Sequence, residues 1–126
     1  MAKGWNIDPS AFAGLVKEAV GKKLRIISIQ LLNEVVMRSP VDTGRFRANN
    51  YVSVGAADFS KLSEADKTGT ETLQRGCAVI NATSPYAVVY IQNNLPYSEA
   101  LEGGHSQQAP AGIYAVSFHG VVQAYK

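Results

Sequence analysis

Cysteine is almost absent from this chain. Cys77 stands alone, which excludes an internal disulfide and a thiolate metal cage. Long apolar runs are missing too: no stretch approaches the ~20 residues that a membrane-spanning helix needs, so no membrane partner is expected. The first residues, Met1 to Asp8, lack the basic-then-apolar layout of a secretory signal. Charge is sparse, at 17% of residues against 46% hydrophobic. That balance excludes disorder as the dominant state, because a disordered chain carries more charge and fewer apolar side chains. The 126 residues suffice for one domain and not for two full cores. They also leave a lightly charged surface for a chain that must stay soluble alone.

The net charge of +2 is too small to imply nucleic acid, yet it is unevenly spread. From Lys17 to Arg47 there are seven basic side chains against three acidic ones, a net of +4. From Ala48 to Tyr125 there are three against six, a net of −3. Such polarity suits head-to-tail contact between copies, or a basic face turned toward DNA.

The clearest element opens at Asp8-Pro9, since Asp caps helix N-termini and Pro is well placed at the first helical position. Phe12, Val16, Val20, Leu24, Ile27, Leu31 and Val35 then recur at helical steps. Ser39-Pro40 stops the pattern, because the residue before a proline is pushed out of the helical region. A helix over 9–38 is ~45 Å long at 1.5 Å per residue. A compact chain of this size has a radius of gyration of about 14 Å. One helix therefore outruns its own globule, unless Gly14 or Gly21 breaks it or its end packs on another copy.

Pro40 to Gly44 reads as a turn, and Phe46 to Val54 as a strand. Residues 56–75 read as a loop, with a capping-box pattern at Ser63 to Asp66 that predicts one helical turn. Gly76 to Ala82 and Tyr86 to Ile91 read as two strands, separated by Pro85. Tyr97 to Leu101 reads as a short helix, and a final helix is expected after Pro110. The whole is expected to be one α+β domain over 1–126, with a long N-terminal helix and a C-terminal helix packed on a small antiparallel β-sheet.

A search for chemistry finds no catalytic set. Cys77 sits in an apolar run and reads as packing. His105 and His119 have no companion Cys or His at metal-ligand spacing. A hydrolase built on His105 and a nearby carboxylate is the weakest alternative. Glu99 and Glu102 read as a solvated pair, and Glu102 to His105 lacks the spacing and lysine of a phosphate loop. Catalytic residues, cofactor and metal are therefore all expected to be absent. A basic face of Lys22, Lys23, Arg25, Arg45 and Arg47 supports an alternative function as a small DNA-contacting module. The run 93–112 is long, proline-bounded and rich in amide and tyrosine side chains, which suits a protein–protein surface.

Two motifs stand in these loops. The first is Pro40-Val41-Asp42-Thr43-Gly44-Arg45, following the long helix and leading toward Asn49 and Tyr51. The second is Asn93-Asn94-Leu95-Pro96-Tyr97, then Leu101-Glu102-Gly103-Gly104, then Ser106-Gln107-Gln108-Ala109-Pro110. In this order and at this distance they resemble the neck proteins of tailed bacteriophages, the tail-completion or head–tail joining family of the minor tail protein Z type. The resemblance implies a virion structural protein at the neck, assembled in the host cytoplasm and joining tail to head. It implies a homo-oligomeric ring of six in contact with connector or stopper, tail-terminator or tail-tube proteins, and without catalytic residues. It also implies that Pro40, Asp42, Thr43, Gly44, Arg45, Asn93, Asn94, Pro96, Tyr97, Leu101, Glu102, Gly103, Gln108 and Pro110 serve subunit and partner interfaces. Lys22, Lys23, Arg25 and Arg47 would then be the candidates for weak contact with genomic DNA in the ring's lumen.

Overall fold

The computed structural model describes residues 9–41, 44–96, 102–103 and 112–125. Helix α1 runs unbroken over Pro9–Arg38. It is followed by a single turn α2 (Arg45–Ala48), strand β1 (Asn50–Val54), helix α3 (Thr70–Asn81), strand β2 (Val89–Asn93) and helix α4 (Tyr114–Ala124). The protein is therefore α+β, with helices packed around a two-stranded antiparallel sheet.

Neither Gly14 nor Gly21 interrupts α1. Gly21 is instead a packing position, where an added Cβ would stand 3.2 Å from Pro85. It is also the first buried residue of the helix among those whose burial is described, and the packed part of α1 begins there. At the other end the Ser39 hydroxyl donates to the Val35 carbonyl at 2.7 Å, and Pro40 prevents another turn.

The adjacent residues Val35 and Val36 of α1 point into different parts of the core. Val36 and Leu32 meet Val52 of β1 and Ile80 of α3. Val35 meets Phe46, Leu95 and Ile113. In the sheet Val52 lies opposite Ile91 and Asn50 opposite Asn93. The period of two turns these pairs toward the helices, and Tyr51, Ser53, Tyr90 and Gln92 the other way.

Several sequence expectations are corrected. The Gly76–Ala82 run is helix α3, not a strand. Thr72, Gly76 and Ile80 recur every fourth residue on its buried face. An added Cβ at Gly76 would collide with Leu32 and crowd Val52, so the glycine brings α3 close to α1. The expected loop 56–75 therefore ends at Gly69. No helical turn forms at Ser63–Asp66; Asp66 instead caps α3. Its Oδ1 accepts from the Gly69 N–H at 3.0 Å, and its Oδ2 from the Thr72 N–H at 2.8 Å.

The strand expected from Phe46 begins only at Asn50, because Gly44 (φ 80°) opens the α2 turn and its carbonyl accepts from Ala48 N–H at 3.0 Å. The strand expected over Tyr86–Ile91 is shifted to Val89–Asn93, since Tyr86 adopts φ 63°, which no strand admits. The C-terminal helix is present as α4. The expected Tyr97–Leu101 helix lies outside the described residues.

Candidate partner-binding surfaces

The second loop motif meets the segment that follows the first inside the protein. Asn50 is fully buried, and each of its side-chain bonding positions is used. Its Nδ2 donates to Ser39 Oγ at 2.9 Å and to the Arg47 carbonyl at 3.1 Å. Its Oδ1 accepts from the Tyr114 hydroxyl at 2.6 Å and from Asn93 Nδ2 at 3.4 Å. Burial pushes the Tyr114 hydroxyl well above its ordinary pKa, with the Glu102 charge adding to the effect, so it stays a donor. Asn93 Nδ2 also donates to the Phe46 carbonyl at 2.8 Å. One asparagine thus ties the end of α1, the α2 turn, β2 and α4 together.

The remaining motif residues fasten loops. Gly44 leaves no room for a side chain: a Cβ would lie 2.7 Å from the Lys67 nitrogen. Its carbonyl accepts from Asp66 N–H at 2.9 Å. Arg45 Nε donates to the Leu62 carbonyl at 3.2 Å. Fully buried Asn49 holds the same residue from both sides, accepting from Leu62 N–H at 2.7 Å and donating to its carbonyl at 3.0 Å. Asn94 Nδ2 donates to the carbonyls of Asp58 and Ser60 at 2.7 and 2.9 Å.

Glu102 caps α4, accepting from the N–H groups of Ile113, Tyr114 and Ala115 at 2.9, 2.7 and 2.9 Å. Burial alone would raise its pKa, but these three bonds outweigh burial and hold the carboxyl below its usual range. Asp66 is held below its usual range by the same balance of burial against bonds from Thr72, Gly69 and Thr68. Pro40 is buried, Pro96 is exposed, and Gly103 is exposed beside Glu102. Asp42, Thr43, Tyr97, Leu101, Gln108 and Pro110 lie outside the described residues, as does His105.

The basic face divides. Lys22 and Lys23 are exposed on α1, and Arg25 is half-buried. Arg47, expected as a lumen contact, is engaged within the protein. Its terminal nitrogens donate to the carbonyls of Lys67 at 2.7 Å, Met37 at 3.1 Å and Ser39 at 2.9 Å. Arg75, which sequence reasoning passed over, plays a similar part. It donates to the Ala48 carbonyl at 2.8 Å and stacks 4.9 Å above the Tyr51 ring. Cys77 is half-buried on α3, in a groove shared with Ile29, Leu73 and Val121. His119 is exposed on α4. Among the described residues no three His, Cys, Asp or Glu side chains gather as a metal site. No described helix is long and apolar enough to cross a membrane.

Part of what remains uncovered is apolar. Leu15 and Val16 on α1 are 52% and 39% exposed, and Phe118 on α4 is 60% exposed. Tyr86, Val88 and Tyr90 are exposed before and along β2. A groove of about 540 Å3 runs between α1, β2 and α4, lined by Leu24, Leu31, Val89, Ile91, Ala115 and Phe118 among others. No protein-family model, curated protein or solved structure matches this chain.

Proposed function

We propose that this chain is a structural protein of a tailed-bacteriophage neck, joining tail to head as one subunit of a ring and acting through its surfaces. The observation that carries this reading is the first third of α1. It is a helical arm, exposed from residue 13 to residue 19, with large apolar side chains that its own globule leaves uncovered. Uncovered apolar surface of this kind marks a protein interaction site. The sequence motifs support the reading in a second way. Gly44, Arg45 and Asn94 fasten the 56–69 loop onto the body, so a fixed loop surface is presented to whatever docks there.

The alternative, a DNA-contacting module, loses its strongest donors. The Arg47 guanidinium is engaged by three carbonyls and the Arg45 Nε by one. Lys22, Lys23 and Arg25 remain, which suits weak contact with the DNA in a lumen rather than sequence reading.

The test is assembly. Tails produced with and without this protein are compared by negative-stain microscopy and by their ability to join filled heads. Joining that depends on the protein, with the protein found at the neck, is the expected result. A chain that never enters the tail assembly overturns the proposal.

A further inference from the structure

The two outer edges of the small sheet are finished differently. Gly55 N–H donates to the Val88 carbonyl at 2.9 Å, and the register then pairs Val54 with Val89, Ser53 with Tyr90 and Val52 with Ile91. Bonded and non-bonded pairs alternate along an antiparallel ladder. The backbone groups of Val88, Tyr90 and Gln92 therefore turn toward β1, and those of Val89 and Ile91 turn away from it.

Helix α3 guards the outer edge of β1. Arg75 donates to the carbonyls of Ala48 and Asn50 at 2.8 and 3.2 Å, and Gly76 brings the helix against Val52. The outer edge of β2 has no such guard. Among the described residues no hydrogen bond reaches the outward N–H or carbonyl of Val89 or Ile91. Proteins ordinarily blunt an open edge with a charge, a proline or a covering element. Strand β2 reads Val-Tyr-Ile-Gln-Asn and carries neither charge nor proline.

This edge opens into the groove between α1, β2 and α4. Val89, Tyr90 and Ile91 line it together. Successive side chains of a strand face opposite ways, so three in a row mark an edge rather than one face. The other walls are apolar, with Leu24 and Leu31 from α1 and Ala115 and Phe118 from α4. Both helices thus project past the sheet, over the place where a third strand would lie. At about 540 Å3 the groove is the size of a ligand pocket, ~300–1,000 Å3, and takes one short extended segment. The β2 of a second copy would bring its own α1 and α4 to the same space, so pairing of two such edges is obstructed.

We infer that the β2 edge is a docking site for an extended peptide segment of a partner protein, which adds a third strand beneath α1 and α4. Unpaired backbone groups are what a peptide backbone satisfies. Pairing with Val89 and Ile91 gives the recognition, and every second side chain of the guest enters the apolar groove. The guest is uncharged along this stretch, because no charged residue lines the groove. The inference is independent of the neck reading, since it rests on the sheet edge and its walls.

The test uses the full chain, isotope-labelled, and synthetic peptides about seven residues long. At ~3.3 Å per residue these outrun the five residues of β2. They alternate threonine with valine, isoleucine or phenylalanine, and binding is followed by amide hydrogen exchange. Saturable binding that slows exchange at Val89 and Ile91 is expected, while Tyr90 and Gln92, already paired with β1, stay unchanged. Val89→Pro removes an outward N–H and none that β1 uses, at a strand's first residue, where proline is tolerated. It is expected to weaken binding about tenfold. Phe118→Asp sets a charge in the groove wall at an exposed position, and is expected to abolish binding with circular dichroism unchanged.

The docking is overturned by peptides that leave the Val89 and Ile91 amides exchanging as before at their solubility limit, even if they bind elsewhere. Binding that Phe118→Asp leaves intact overturns it equally. So does protection of the two amides that rises with the concentration of the chain alone, because the occupant is then a second copy. Joining of tails to heads is measured separately, and neither result decides the other.

Discussion

Asn50 and Asn93 face each other across the two-stranded sheet, and the first shares its Oδ1 between the second and the Tyr114 hydroxyl. The middle of the protein is thus held by a buried amide as well as by the two apolar clusters. A buried amide with two donors and two accepting positions all used is stabilising only while every partner is present.

Asn50→Leu is therefore expected to destabilise by about 2–4 kcal/mol, because it strands the Tyr114 hydroxyl and the Arg47 carbonyl. Urea unfolding of the two proteins measures it. Tyr114→Phe, which removes one partner and leaves Asn50 three, is expected to lose less.

Gly76→Val tests the approach of α3 to α1. The added side chain meets Leu32 and Val52, and overpacking of this kind costs about 1–3 kcal/mol. Gly14→Ala is the control: its Cβ meets nothing, so helix propensity alone acts, and it is expected to stabilise by up to about 1 kcal/mol.

Acid should loosen both capped helices. The folded pKa values of Glu102 and Asp66 lie below their ordinary 4.5 and 3.8. The unfolded chain therefore binds the proton more readily, and the stabilising contribution is complete above those ordinary values. It is lost as pH falls through them toward the depressed values. Removing the Glu102 cap by Glu102→Ala is expected to cost about 1 kcal/mol at neutral pH. It should also flatten the acid limb of the stability profile followed by thermal melts.

The two kinds of basic residue should separate in a single set of variants. Arg47→Ala leaves three carbonyls without their donor and is expected to cost about 1–3 kcal/mol. Lys22→Glu with Lys23→Glu touches only exposed side chains, so unfolding moves by less than about 0.5 kcal/mol. If the arm's neighbourhood touches DNA, the double variant alone should lose the binding seen at low salt.

Tyr86 holds a left-handed backbone at φ 63° with 60% of its surface exposed. Tyr86→Gly relieves strain of about 1 kcal/mol and is expected to raise the melting temperature. If the exposed ring serves an interface, the same variant should assemble less well despite its stability.

The parts of this fold legible in the sequence are those with local punctuation. Proline at 9 and at 40 brackets α1, and simple length arithmetic exposes its overhang. Helix α3 escaped because its buried stripe consists of Thr72, Gly76 and Ile80, of which only the last is a large apolar residue. Its Cys77–Ile80 run looks equally apolar in either periodicity. The inward face of β1 escaped for a related reason: Asn50 is buried by virtue of partners 11 and 64 residues away. Arg47 read as a surface cation, since the carbonyls it holds come from positions 37, 39 and 67. The two loop motifs were visible as patterns, but the part that Gly44, Arg45 and Asn94 play as fasteners depends on the 56–69 loop, which carries no motif at all.

Val35 and Val36 give the long helix a mechanical property. Because consecutive residues anchor it in two separate clusters, α1 is held from both sides along the stretch that begins at Gly21, while its first third stands clear. It behaves as a lever with a long, clamped root. A sideways load applied at Leu15 reaches the root as torque, prying one cluster open while compressing the other. A load on the exposed arm would therefore be felt in the middle of the protein.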